Sequence, residues 1–215
     1  MTKALLSTTY FGPVQWYQKI HRHGLCLIEQ HENFQKQTYR NRCIIATANG
    51  TQALTVPVIH QPIPTPDSSA KSSAPSITSL LISDHGNWRH LHWNALCSAY
   101  GDSPFFEFYA DDIQPFFFER RWETLFEFNL DIIHTLCELL DIHPNLQLTD
   151  SYIDDPVNPH IIDYRSGINP KHPAEDPDFQ PRPYWQVFQQ RHGFLPNLSI
   201  LDLLFNTGPE AIFYL

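Results

Sequence analysis

The chain has 215 residues, 42% of them hydrophobic and 13% aromatic, enough to bury a core without staples and too apolar for disorder throughout. Its formal net charge of −9 excludes a general polyanion-binding surface, so neither nucleic acid nor an acidic membrane is expected as the main partner. The cysteines (Cys26, Cys43, Cys97, Cys137) are scattered through apolar stretches without a C-x-x-C spacing; the opening residues do not read as a signal peptide, and no membrane-spanning run is expected. A reducing, cytoplasmic setting is expected.

Lys3 to Thr9 reads as a short buried strand, and Phe11-Gly12-Pro13 turns the chain into a helix from Val14 to Arg22. Gly24 is placed to end that helix, and Leu25 to Ile28 forms a second strand; strand, helix and strand in this order imply a parallel pair. Arg42 to Ala48 and Thr51 to Ile59 are rich in strand formers, and the Asn49-Gly50 pair between them suits a two-residue hairpin turn with positive φ at both positions. Residues 60–76 hold four prolines and five serines and are expected to be exposed and mobile.

Ile77 to Ile82 resumes strand character. Asn87 is placed to cap a helix over Trp88 to Tyr100, with Trp88, Leu91, Ala95, Leu96 and Ala99 on one side. A longer helix runs from about Glu123 to Leu140, its stripe made by Leu125, Phe128, Ile132, Ile133, Leu136, Leu139 and Leu140. Leu146 to Ile153 reads as a last strand, and residues 154–183, rich in Pro and Asp, as irregular. Ser199-x-x-Asp202 resembles a capping box before a final helix over Ile200 to Phe205, stopped by Gly208-Pro209. The fold class is α/β: a mixed, partly parallel sheet flanked by helices, with the Asn-Gly hairpin as an insertion. Residues 1–59 form the α/β opening with its hairpin, 60–76 a loop, 77–153 the strand and helical part of the same domain, and 154–215 an irregular segment with a helix packing on it.

The segment after the second strand carries the strongest functional signal. Lys36, Arg40 and Arg42 put three of the chain's 14 basic residues within seven positions, where open α/β sheets bind ligands and arginine forks hold carboxylates or phosphates. The bland alternative is an exposed loop whose cations pair with Glu29 and Glu32. His92 lies at the margin of its helix's apolar face and is the candidate acid or base, against a structural histidine. His90 and His92, and His21 and His23, are two apart and cannot chelate together, so no zinc site is expected. Asn129 points into the apolar stripe of its helix, where a buried amide needs a partner: either a backbone tie or a polar pocket. Capping accounts for Ser199 and Asp202. No G-x-S-x-G, Walker A or G-x-G-x-x-G motif is present. The clusters Phe105-Phe106-Phe108-Tyr109 and Phe116-Phe117-Phe118 read as core, or as the lining of a groove for an apolar or sugar ligand.

A series of ordered blocks resembles the WbqC-like protein family. The blocks are Tyr10-Phe11-x-Pro13-x-x-x-Tyr17-x-Lys19-Ile20, Phe34-x-Lys36-x-x-x-Arg40-Asn41-Arg42, Leu54-Thr55-Val56-Pro57-Val58, Trp88-x-x-x-His92, Tyr100, Pro104-x-Phe106 and Asn129. The stretch Asn197 to Asn206 is similar to the tail of members from Bacteroides-type bacteria. One departure is that the family often carries an acidic pair where this chain has Gln30-His31 between Glu29 and Glu32. The resemblance implies surface-polysaccharide or related glycan biosynthesis, with aminoacyl or glycine transfer suggested for the family. On this reading an activated anionic donor and a glycan precursor are the partners, His92 is catalytic, and Lys36, Arg40, Arg42, Asn129 and Tyr10 bind substrate, with no metal and no cofactor specified. The alternative is a non-enzymatic metabolite- or partner-binding protein of the same family.

Overall fold

The computed structural model describes residues 2–59, 74–119, 121–154 and 158–215. β1 (Lys3–Leu6) leads into α1 (Val14–Arg22) and β2 (Leu25–Ile28), the strand–helix–strand opening expected from the sequence. β3 (Arg42–Thr47) and β4 (Gly50–Thr55) form the hairpin, followed by the short β5 (Val58–Ile59) and β6 (Leu81–Ile82). Helices α2 (Trp88–Tyr100), α3 (Phe106–Ile113), α4 (Pro115–Phe118) and α5 (Leu125–Leu139) come next. The chain then adds β7 (Leu146–Leu148), β8 (Ile161–Asp163), α6 (Gln189–His192) and α7 (Ile200–Thr207).

β7, β2, β1 and β8 lie side by side in that order, every pair parallel. Ala4, Leu5 and Leu6 have no exposure at all, as a central strand covered on both faces requires; alternation would have left one face polar. α1 is buried from Val14 to Ile20, glutamines and Lys19 included, and packs against α7, whose eight residues are all buried. The hairpin is a separate two-stranded antiparallel sheet, and β5 and β6 form another.

Several local expectations shift. Thr47 pairs with Gly50, so Ala48 and Asn49 make the connection, and Gly50 takes the positive φ, +108°. The Thr47 hydroxyl secures this one-residue slide by accepting from the Asn49 N–H at 3.3 Å and donating to the Gly50 carbonyl at 2.9 Å. α1 ends at His23 in extended conformation, not at Gly24. Asn87 adopts φ 50° and its side chain accepts no capping hydrogen bond, and Leu91 is 59% exposed because the buried stripe of α2 runs through Trp88, His92, Leu96 and Ala99. α5 has a full capping box built from Thr124 and Glu127. Ser199 caps α7, but Asp202 turns inward and accepts from Tyr184 Oη (2.6 Å) and Gln186 Nε2 (2.8 Å).

The expectation of a mobile loop at 60–76 falls, over 60–73, outside the described residues. Pro75 and Ser76 are tied down, the Pro75 carbonyl accepting from Phe34 N at 2.8 Å and Ser76 bridging Asn33. Within the stretch read as irregular, Ile161–Asp163 forms an edge strand of the main sheet. The two phenylalanine clusters fold as α3 and α4, burying Phe106, Tyr109, Phe116 and Phe117. Leu125, Ile132 and Leu136 of α5 are fully buried and Leu139 partly so. Leu136→Ala should therefore cost about 2–5 kcal/mol in urea unfolding, the usual range for a buried leucine truncation.

Candidate functional site

Parallel strands point their carboxyl ends the same way, and here four polar segments leave one edge of the sheet together. β1 runs into Ser7-Thr8-Thr9, β2 into Glu29–Glu32, β7 into Thr149, and β8 into Tyr164-Arg165. β2 lies on one side of β1 and β8 on the other, so the strand order reverses at β1; that is where open α/β sheets form ligand crevices. A cleft of about 660 Å³ opens there, with His31, Glu32, Arg40, Tyr152, Asp163 and Arg165 among its lining.

Two buried arginines converge on this cleft. Arg40 directs Nε to Glu32 Oε1 at 2.8 Å and Nη2 to Ser7 Oγ at 2.7 Å, and Ser7 donates in turn to Glu32 Oε2 at 3.0 Å. Its Nη1 has no hydrogen-bond partner among the described residues, and Arg40 is part of the cleft's lining. Arg165 grips Asp163 (Nη2 to Oδ2, 2.7 Å) and reaches Glu29 Oε2 with Nη1 at 3.2 Å. Glu29 has no exposure and also accepts from Thr149 Oγ1 (2.7 Å), His31 N (2.9 Å) and Ile153 N (3.0 Å). His31 Nε2 lies 3.0 Å from the Thr149 carbonyl, which can only accept; Nε2 therefore carries the proton and Nδ1 keeps its lone pair when the ring is neutral.

Of the residues singled out from the sequence, the fold brings Arg40 and Asn129 together. Asn129 Nδ2 donates to the Arg40 carbonyl at 2.7 Å and to Thr8 Oγ1 at 3.2 Å, pinning the Arg40 backbone beside the end of β1. Lys36 is exposed, and Arg42, on the hairpin, donates to Thr55 Oγ1 at 2.9 Å; neither lines the cleft. Tyr10 and His92 form a pair of their own, Oη to Nδ1 at 2.9 Å, packed with Trp88 and Phe128 and also outside the lining. Tyr10 is linked to the site through its backbone, its N–H donating to the Tyr39 carbonyl at 2.9 Å. Sequence reasoning passed over Ser7, Tyr152, Asp163 and Arg165, and treated Glu29 and Glu32 only as counter-charges. The available signal was position: each ends a strand of the parallel sheet or lies within four residues after one, but β8 carries no strand signal of its own.

The start of α1 is closed to a phosphate. Val14 N donates to the Leu198 carbonyl (3.0 Å), Gln15 N to Asn197 Oδ1 (2.9 Å) and Trp16 N to the Pro13 carbonyl (2.9 Å). The N–H groups that a nucleotide-binding helix offers to an anion are thus taken by the chain itself. The loop before the helix is equally tight: a Cβ on Gly12 would sit 2.3 Å from Thr9 Oγ1. Among the described residues no group of three or more His, Cys, Asp or Glu side chains is placed to hold a metal ion. The cysteines are unpaired, and burial pushes the Cys26 and Cys137 thiols up to about 12, well away from thiolate chemistry at neutral pH.

The WbqC-like protein family model matches residues 8–172. The chain belongs to the WbqC-like family. Across 210 residues it is 29% identical to a protein of Mycobacterium tuberculosis (strain H37Rv) named "Uncharacterized protein Rv1507c", covering 85% of this chain and 83% of that relative. No solved structure matches it. The family match takes in the strand ends that carry Ser7's neighbours, Glu29, Glu32, Arg40 and Arg165, whereas Asn197, Leu198 and Ser199, which complete the β1–α1 loop, lie beyond it. No helix among the described residues is long and apolar enough to cross a membrane.

Burial lowers the His92 pKa to about 4, so the imidazole is neutral near pH 7. The unfolded chain takes up this proton near pH 6.5, while the folded protein resists it until about pH 4. Stability contributed by neutral His92 is therefore complete above pH 6.5 and is lost as pH falls toward 4, by about 3 kcal/mol. Chemical denaturation between pH 7 and 4 should show this loss, and His92→Gln should flatten the slope across that window.

Proposed function

We propose that the cleft at the reversal point of the sheet binds an activated anionic donor, and that the protein is a transferase in surface-polysaccharide or related glycan assembly. The observation that carries the reading is the pair of buried guanidiniums, Arg165 and an Arg40 whose Nη1 has no partner among the described residues, in the lining of one ligand-sized crevice. A buried guanidinium costs several kcal/mol to desolvate, and a hydrophobic pair would serve stability as well. Its presence where α/β proteins bind ligands favours recognition of a carboxylate or phosphate. Carboxylates of Glu32, Asp154 and Asp163 share the lining, so the site offers partners to an amine as well as to an anion, which suits aminoacyl or glycine transfer.

His31 replaces His92 as the proton acceptor in this proposal. It lines the cleft with Nδ1 unprotonated, positioned to take the proton from an acceptor hydroxyl or amine as its bond to the transferred group forms and the bond to the anionic leaving group breaks. His92 and Tyr10 would then position the Tyr39–Arg40 backbone. A second reading, binding without turnover, is favoured by one feature: both arginines and the carboxylates of Glu29, Glu32 and Asp163 are already paired within the chain.

Calorimetric titration with sugar nucleotides and aminoacyl-adenylate analogues tests the site. Arg40→Ala would strand Glu32 in the interior at about 3–5 kcal/mol, so Arg40→Lys is the better variant, keeping the charge opposite Glu32 while removing Nη1. Donor affinity should fall about tenfold in Arg40→Lys, while urea unfolding should show a smaller stability loss than in Arg40→Ala, about 1–3 kcal/mol from the broken bidentate contact, with the protein still folded. An unaltered affinity would remove Arg40 from the ligand. His31→Gln should leave binding intact and slow transfer about a hundredfold; saturable binding with no transfer to any glycan acceptor would support the non-enzymatic reading instead.

A further inference from the structure

We infer that Tyr152 is the stacking platform for the base of a nucleoside monophosphate moiety whose phosphate meets Arg40; the inference rests on the cleft reading above and narrows its ligand. Tyr152 lines the same cleft as Arg40 and is 50% exposed. One face of its ring lies on the Arg165 guanidinium, with Cζ 5.0 Å from the centroid. No other aromatic ring packs on it among the described residues.

Three physical arguments select the ligand. Arg165 is fixed by Asp163 and Glu29, so the ring resting on it is pre-placed, and stacking on it costs less ordering entropy than on a free surface tyrosine. A cation over one face draws electron density from the ring; the opposite face then suits an electron-rich heteroaromatic better than the C–H face of a pyranose. The crevice, at about 660 Å³, is far larger than a lone phosphate or carboxylate needs.

Charge sets how many phosphates fit. Glu32, Asp154 and Asp163 oppose Arg40 and Arg165 in the lining, and the whole chain carries −9. With the α1 N-terminus already filled by Leu198 and Asn197, the arginine cations in the lining are Arg40 and Arg165 among the described residues. A polyphosphate would meet more repulsion than attraction, whereas one phosphate, or a singly charged acyl phosphate, matches the capacity of a single guanidinium.

The test is a set of titrations of the full chain and its Tyr152→Ala and Tyr152→Phe variants with AMP, UMP, glucose 1-phosphate and inorganic phosphate. The native protein should bind at least one of the nucleotides more tightly than phosphate. Tyr152→Ala should lower that affinity about tenfold, the usual scale of base stacking, while Tyr152→Phe retains it and phosphate binding does not change. Nucleotide affinity that is no better than that of phosphate, or that is indifferent to Tyr152→Ala, overturns the stacking assignment and leaves the anion cleft standing. An equal loss for glucose 1-phosphate reassigns the ring to a sugar and overturns the base. If no probe binds the native chain, the cleft reading fails together with this one.

Discussion

Glu29 ends β2 with no exposure to water, and a carboxylate in such a place is tolerated only when donors surround it. Its donors come from the segment after β7 (Thr149 Oγ1, Ile153 N), from its own loop (His31 N) and from the segment after β8 (Arg165 Nη1). β7 and β8 are the two outer strands of the sheet, so one side chain joins the carboxyl ends of both edges across the middle. Arg165 can face the crevice only because Glu29 and Asp163 hold it, and Tyr152 rests in turn on Arg165. Strands of three or four residues would fray at their ends without such a tie.

A parallel network supports Arg40. Glu32 and Ser7 hold its guanidinium, and Asn129 holds its backbone carbonyl from α5. The two arginine systems share a principle: each charge is oriented by partners that are themselves buried, so the crevice keeps its shape with no ligand present. α7 shows the same strategy away from the crevice. Burial raises the pKa of Asp202, while Tyr184 and Gln186 pull against that shift through hydrogen bonds.

The opening strand–helix–strand unit and the hairpin were legible because their signals are local: continuous apolar runs, a proline at a helix start, and an Asn-Gly turn. Even there the turn slid by one residue, since a threonine hydroxyl altered which position needed positive φ. β8 was illegible because three residues between prolines and aspartates carry no period, and its strand state comes wholly from pairing with β1, more than 150 positions away. The same non-locality blurred the site. Lys36, Arg40 and Arg42 look equivalent in a cation-rich loop, but only Arg40 meets a buried Glu32, Ser7 and Asn129; the alternative of pairing with Glu32 was the part of the bland reading that described it. Asn129 was legible as an anomaly, a polar residue in an apolar stripe, and the backbone tie offered for it is the contact it makes.

The closure of the α1 N-terminus by Asn197 and Leu198 joins positions separated by 182 or more residues. A polypeptide leaving the ribosome therefore exposes the β1–α1 loop, with its unsatisfied N–H groups, for most of the time its synthesis takes. Local helix and hairpin can form early, within microseconds of emergence, but this loop must wait for α7 to arrive. Closing so long a segment is entropically slow, so the crevice whose Arg40 and Glu32 Ser7 holds is expected to be among the last parts of the molecule to become competent for a ligand.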